Sequence, residues 1–142
     1  HNAFSNFSGQ PFDVGLYAPG SSQKVPFRRD GIVRVFCNIH PTMSAVIVVV
    51  KSPYVAVSSR TGEFTLAGVG AGEYRVRVFH ERSTTETLRA LERTIRVEAA
   101  PVALGALAIS ESGYIETPHK NKHGKDYPPV IVDTPLYSGK RP

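Results

Sequence analysis

The sequence predicts an all-β protein. Three observations carry that expectation: many Val, Gly, Pro, Thr and Ser residues without a single Trp; short β-branched or alternating runs; and turn signals between nearly every pair of runs. At 142 residues with 41% hydrophobic composition, the chain can bury an interior as one ordinary domain or two small ones.

The elements follow in order. Residues 1–24 read as loop-rich, with a short extended piece at 12–17 and a turn in APGSS at 18–22. KVPFRRDG (24–31) reads as a strand ending in a tight turn at Asp30 and Gly31. IVRVFCNI (32–39) is rich in β-branched and aromatic residues and reads as a strand that Pro41 stops. SAVIVVV (44–50) is a continuous apolar run, the pattern of a strand buried on both faces. YVAVSS (54–59) and FTLAGV (64–69) read as strands around a turn in RTGE. GAGE (70–73) turns into YRVRVFHE (74–81), where Tyr74, Val76, Val78 and His80 share one face and arginines occupy the other. STTETLRALER (83–93) is the one plausible helix, with Ser83 and Glu86 at capping-box spacing. TIRVEAA (94–100) and ALGALAIS (103–110) close the β-rich part. From residue 113 the chain is polar, basic and Pro-rich with scattered tyrosines, the composition of an extended tail ordered by a partner.

Composition also limits function. The longest apolar run, 45–50, is far short of the ~18 residues a membrane helix needs. The net charge of +5 is dispersed, without the basic stripe interleaved with aromatics that nucleic acid favours. No Ser-His-Asp set, marked carboxylate pair or phosphate-binding glycine loop is visible, so an enzyme is not expected; Gly68, Gly70 and Gly72 read as turn residues.

The chemistry concentrates in CNIHPTM, residues 37–43, which holds the only Cys and the only Met. An electron-transfer copper requires a thiolate, two imidazoles and a weak axial ligand such as a thioether. Cys37, His40 and Met43 supply three of these from one loop leaving a strand. The alternative is a buried free cysteine beside an ordinary turn. The second imidazole has to come from elsewhere. His80 at a strand end reads as a structural histidine, and His119 and His123 as part of a solvated tail. His1, followed by Asn2, lies 36 positions before Cys37.

The loop resembles the ligand loop of the cupredoxins, and within them that of amicyanin, which reads Cys-x-x-His-Pro-x-Met. In that family the first histidine ligand is followed by an Asn that ties the two ligand loops together. The resemblance implies His1, Cys37, His40 and Met43 as copper ligands, with Asn2 supporting them. Over residues 1–112 the chain further resembles bacterial plastocyanin-like proteins of the methylamine-utilisation-like type. There a cupredoxin part runs into strands like those of the carboxypeptidase regulatory-like, prealbumin-type domain; Gly62, Phe64, Gly72 and Tyr74 carry the second half of that likeness.

What this implies is a Greek-key β-sandwich: the C-terminal part of a cupredoxin unit at 1–50, a prealbumin-like β-domain at 51–112 and the tail at 113–142. Cupredoxins have strands before the first histidine. The chain, beginning at His1 and not at Met, is therefore expected to be processed, to lack its N-terminal strands or to receive them from a partner. The resemblance implies type 1 copper as cofactor and one-electron transfer to a partner such as a c-type cytochrome or a larger electron-transfer complex. It also implies a periplasmic or outer-face location. The alternative is a non-catalytic structural subunit of a respiratory or photosynthetic assembly, held by its tail.

Overall fold

A computed structural model describes residues 2–6, 10–116 and 118–129. The protein is all-β, with one short helix among the described residues. The elements run β1 (Asn2–Ser5), β2 (Phe12–Leu16), β3 (Gly31–Phe36), β4 (Ser44–Val49), β5 (Gly72–Val76), α1 (Thr85–Ala90) and β6 (Arg93–Val97). One sheet has the strand order β2-β1-β3-β4, and a second pairs β5 with β6. The chain divides into two compact units, one within 1–26, 34–45 and 118–142, the other within 27–33 and 46–117.

In the first unit, β1 is antiparallel to both β2 and β3, with Phe4 opposite Asp13 on one side and Phe36 on the other. Its central position explains why Asn2, Phe4 and Ser5 are buried although four residues show no hydrophobic period. The register slips between Asn2↔Leu16 and Phe4↔Asp13, a β-bulge in β2. Gly15 sits there at φ +66, a left-handed conformation that side chains resist, and the Asp13 carboxylate accepts its N–H at 2.9 Å. Phe4 and Phe36 pack with ring centroids 6.0 Å apart.

The second unit holds the β5–β6 pair, in register from Gly72↔Val97 to Val76↔Arg93. Tyr74, Val76, Arg93 and Ile95 are half-buried while Glu73, Arg75, Thr94 and Arg96 face outward, which is the alternation expected of a one-sided strand. Thr84 caps α1, its side chain accepting the Thr87 N–H, one residue later than the Ser83 start expected from the sequence. Ser83 instead donates its hydroxyl to the Ser110 carbonyl at 2.8 Å. The RTGE turn forms as expected. Gly62, at φ +85, donates to the Ser59 carbonyl, and the Ser59 N–H returns to Glu63.

Several expectations fail. Residues 24–29, 54–59, 64–69 and 103–110 are β-rich in composition, yet none lies in a strand. β-rich composition by itself does not set a strand, because strand formation depends on the tertiary context as well as on local propensity. β3 ends at Phe36, before the expected 39, and β5 runs from Gly72 to Val76, beginning earlier than expected and stopping short of 81. β4 does form at 44–49 but is not buried on both faces: Ile47, Val48 and Val50 are exposed, as befits an end position in the sheet order. Within 54–59, Val57 is 91% exposed. Among the described residues, no helix is long and apolar enough to cross a membrane.

Candidate metal centre

Cys37 is the first residue beyond β3 and is 3% exposed. Its N–H donates to the Met43 carbonyl at 3.1 Å, and the Met43 N–H donates to the His40 carbonyl at 3.2 Å. These two bonds close residues 37–43 into a small loop, with Pro41 supplying a fixed φ inside it. Within that loop Cys37 Sγ lies 3.5 Å from His40 Nδ1. A sulfur and a ring nitrogen bound to one ion at about 2.3 and 2.0 Å are separated by about that much when their angle is near tetrahedral. The pair therefore fits a shared soft metal ion.

Burial pushes the Cys37 thiol up. Backbone N–H groups of Asn2, Ile39 and His40, together with the His40 ring, outweigh burial and lower it from 9.0 to about 7. Hydrogen-bond donors directed at sulfur favour the thiolate, which is the form that binds metal. His40, Ile39 and Met43 are exposed, Met43 at 42%, so the loop presents its outer edge to solvent.

Asn2 joins the loop to β1 and β2. Its Nδ2 donates to Asp13 Oδ1 at 2.7 Å and to the Gly15 carbonyl at 3.0 Å, while its Oδ1 accepts the Asn38 N–H at 3.3 Å. The Asn38 Oδ1 accepts the Lys122 N–H at 3.0 Å, and Lys122 Nζ returns to Asp13 Oδ2 at 2.7 Å. Asp13, Asn2, Asn38 and Lys122 thus form a closed polar circuit. The Lys122 ammonium, the Gly15 N–H and the Asn2 amide hold the Asp13 carboxyl at about 2, below its ordinary 3.8.

Residues 118–129 of the expected tail pack on the same loop. The His119 ring stacks on Phe36 at 4.4 Å, and Tyr127 meets His119 edge-on at 5.2 Å. The Tyr127 hydroxyl donates to the Cys37 carbonyl at 2.6 Å and lies 3.1 Å from His119 Nδ1. That nitrogen also lies 3.3 Å from the Lys120 carbonyl, which can only accept, so the hydrogen-bond network assigns the proton to Nδ1. His119 Nε2 is then a buried acceptor with no partner among the described residues. Burial and the neighbouring Cys37 raise the Tyr127 phenol above 10, which keeps it a donor.

The structure brings Cys37 and His40 together, places the Met43 main chain in the same loop, and joins the Asn2 side chain to the Asn38 N–H of that loop. His1 lies outside the described residues. Among the described residues no group of three or more His, Cys, Asp or Glu gathers around one point. His80 is held structurally, accepting from the Arg82 N–H at 3.3 Å with Ser83 Oγ at the same distance. Asp13, Asn38, Lys122 and Tyr127 escaped the sequence reading. Only the scattered tyrosines of the tail hinted at one of them. Comparison with known families, curated proteins and solved structures found no match for this chain.

Proposed function

We propose that the protein is a type 1 copper electron-transfer protein. The observation that carries this reading is the Cys37 Sγ–His40 Nδ1 separation of 3.5 Å in a loop closed by its own backbone. Cys37 would hold copper through its thiolate, His40 and His1 through their imidazoles and Met43 as a weak thioether ligand. Asn2 supports them, holding Asn38 through its side chain and the Cys37 sulfur through its backbone N–H. When bound, copper supplies one-electron chemistry at a soft N/S site. The protein's own residues do the rest: the N–H groups around sulfur favour the thiolate, and the closed loop restrains its geometry. The exposed His40 and Ile39 offer an edge where a redox protein such as a c-type cytochrome docks. The cupredoxin resemblance supports the reading, including its Greek-key sandwich and a periplasmic or outer-face location.

Copper(II) added to the purified chain is expected to produce an intense visible thiolate-to-copper absorption, and Cys37→Ser to abolish it. A colourless wild type at full copper occupancy overturns the reading.

The exposed apolar side chains of Ile47, Val48 and Val50 favour a second reading, a non-catalytic subunit of a larger assembly. On that reading Val48→Lys removes co-purification with the assembly, and unchanged association counts against it.

A further inference from the structure

Three consecutive residues, the last of β3 and the two that follow it, are each gripped by a residue of the 118–129 segment. His119 stacks on Phe36, the Tyr127 hydroxyl bonds the Cys37 carbonyl, and the Lys122 N–H bonds the Asn38 side chain. The middle contact is the shortest, and it falls on the residue that carries the thiol. We propose that Tyr127 is a positioning residue for the Cys37–His40 pair, acting by fixing the Cys37 carbonyl. What the pair does rests on the electron-transfer reading; the clamp itself does not.

Both main-chain polar groups of Cys37 are engaged, its N–H by the Met43 carbonyl and its carbonyl by Tyr127. With the peptide planes on either side held, the sulfur retains little freedom beyond rotation about its own Cα–Cβ bond. The phenol is in turn set by the edge-on His119 ring, which is itself pinned by stacking on Phe36. A hydrogen bond from a part-buried hydroxyl to a carbonyl is directional, so it fixes orientation as well as distance. Lys122 also ties the segment down, but through Asn38 and Asp13 and without touching Cys37.

Tyr127→Phe removes one oxygen and keeps the ring contact, and Lys122→Ala loosens the segment elsewhere. In the metal-free full chain, Tyr127→Phe raises the rate of Cys37 alkylation by iodoacetamide about tenfold, the loss of one hydrogen bond. Lys122→Ala raises it by no more than about threefold, as befits an ion pair about a third exposed. In copper-loaded protein, Tyr127→Phe changes the intensity ratio of the thiolate-to-copper bands, whereas Lys122→Ala leaves it as in wild type. An alkylation rate within twofold of wild type overturns the proposal, and so does an equal rise in both variants. An unchanged band ratio in blue Tyr127→Phe protein overturns it as well. A colourless wild type removes the electron-transfer reading alone, and the alkylation comparison then decides the clamp.

Discussion

Asn2 and Asn38, 36 positions apart, are joined side chain to main chain: the Asn2 amide oxygen accepts the Asn38 N–H at 3.3 Å. Asn2 is 4% exposed, so its polar atoms have little water to turn to if their partners are lost. Truncation in Asn2→Ala removes three hydrogen bonds and leaves the Gly15 carbonyl and the Asn38 N–H without them. The expected loss of unfolding free energy is about 2–4 kcal/mol, read by urea denaturation. A loss below about 0.5 kcal/mol, the level of an ordinary surface change, contradicts this role.

The Asp13 carboxyl gives the fold an acid limb. Its folded value of about 2 lies below the ordinary 3.8, so the carboxylate form is favoured by folding. That stabilisation is fully present above 3.8 and is lost as pH falls through about 2. Asp13 and Lys122 are both about a third exposed, so solvent screening holds the contribution to about 1 kcal/mol. Urea unfolding of Asp13→Asn is expected to show a flatter dependence than wild type across this window. Parallel curves for the two proteins contradict the assignment.

Gly15 tests the bulge. A Cβ at this position would have nothing within 4 Å, so a side chain meets open space and only the backbone angle resists it. Gly15→Ala is expected to cost about 1–2 kcal/mol, and Gly15→Asn less, because Asn tolerates the left-handed region. Equal stability of all three proteins by thermal unfolding excludes a strained φ here.

Thr84→Ala removes the cap of α1. The Thr84 hydroxyl accepts the Thr87 N–H at 3.2 Å, and its loss is expected to cost about 1 kcal/mol. Amide exchange at Thr87 is expected to quicken in this variant and to keep its wild-type rate in Glu86→Gln, since Glu86 is not the residue that caps.

Legibility from sequence tracked how local the cause was. β5 and β6 showed their alternation, and α1 its periodicity, because each pattern sits within a few neighbouring residues. β1 was missed because NAFS has no period; its place between β2 and β3 makes it a strand. β4 was found but misjudged, since an apolar run reads the same at the middle of a sheet as at its end. Residues 54–59, 64–69 and 103–110 had the composition of strands without acquiring strand partners. At the site, Cys37 and His40 could be paired on paper because three positions separate them. Asp13, Lys122 and Tyr127 could not. They meet the loop or each other across separations of 84 to 109 positions, and single hydrogen bonds leave no periodic trace.

The Asp13–Asn2–Asn38–Lys122 circuit has no free end. A severed chain of contacts lets go of everything beyond the break, whereas a ring with one break still holds each member through the other direction. Asp13 and Lys122 can therefore be altered singly with graded effects on the loop, while altering Asp13 together with the Asn38 side chain takes both partners from Lys122 and costs more than the two separate changes combined. The ring thus shares the hold on Lys122 between two partners, Asp13 and Asn38, and either alone keeps it in place.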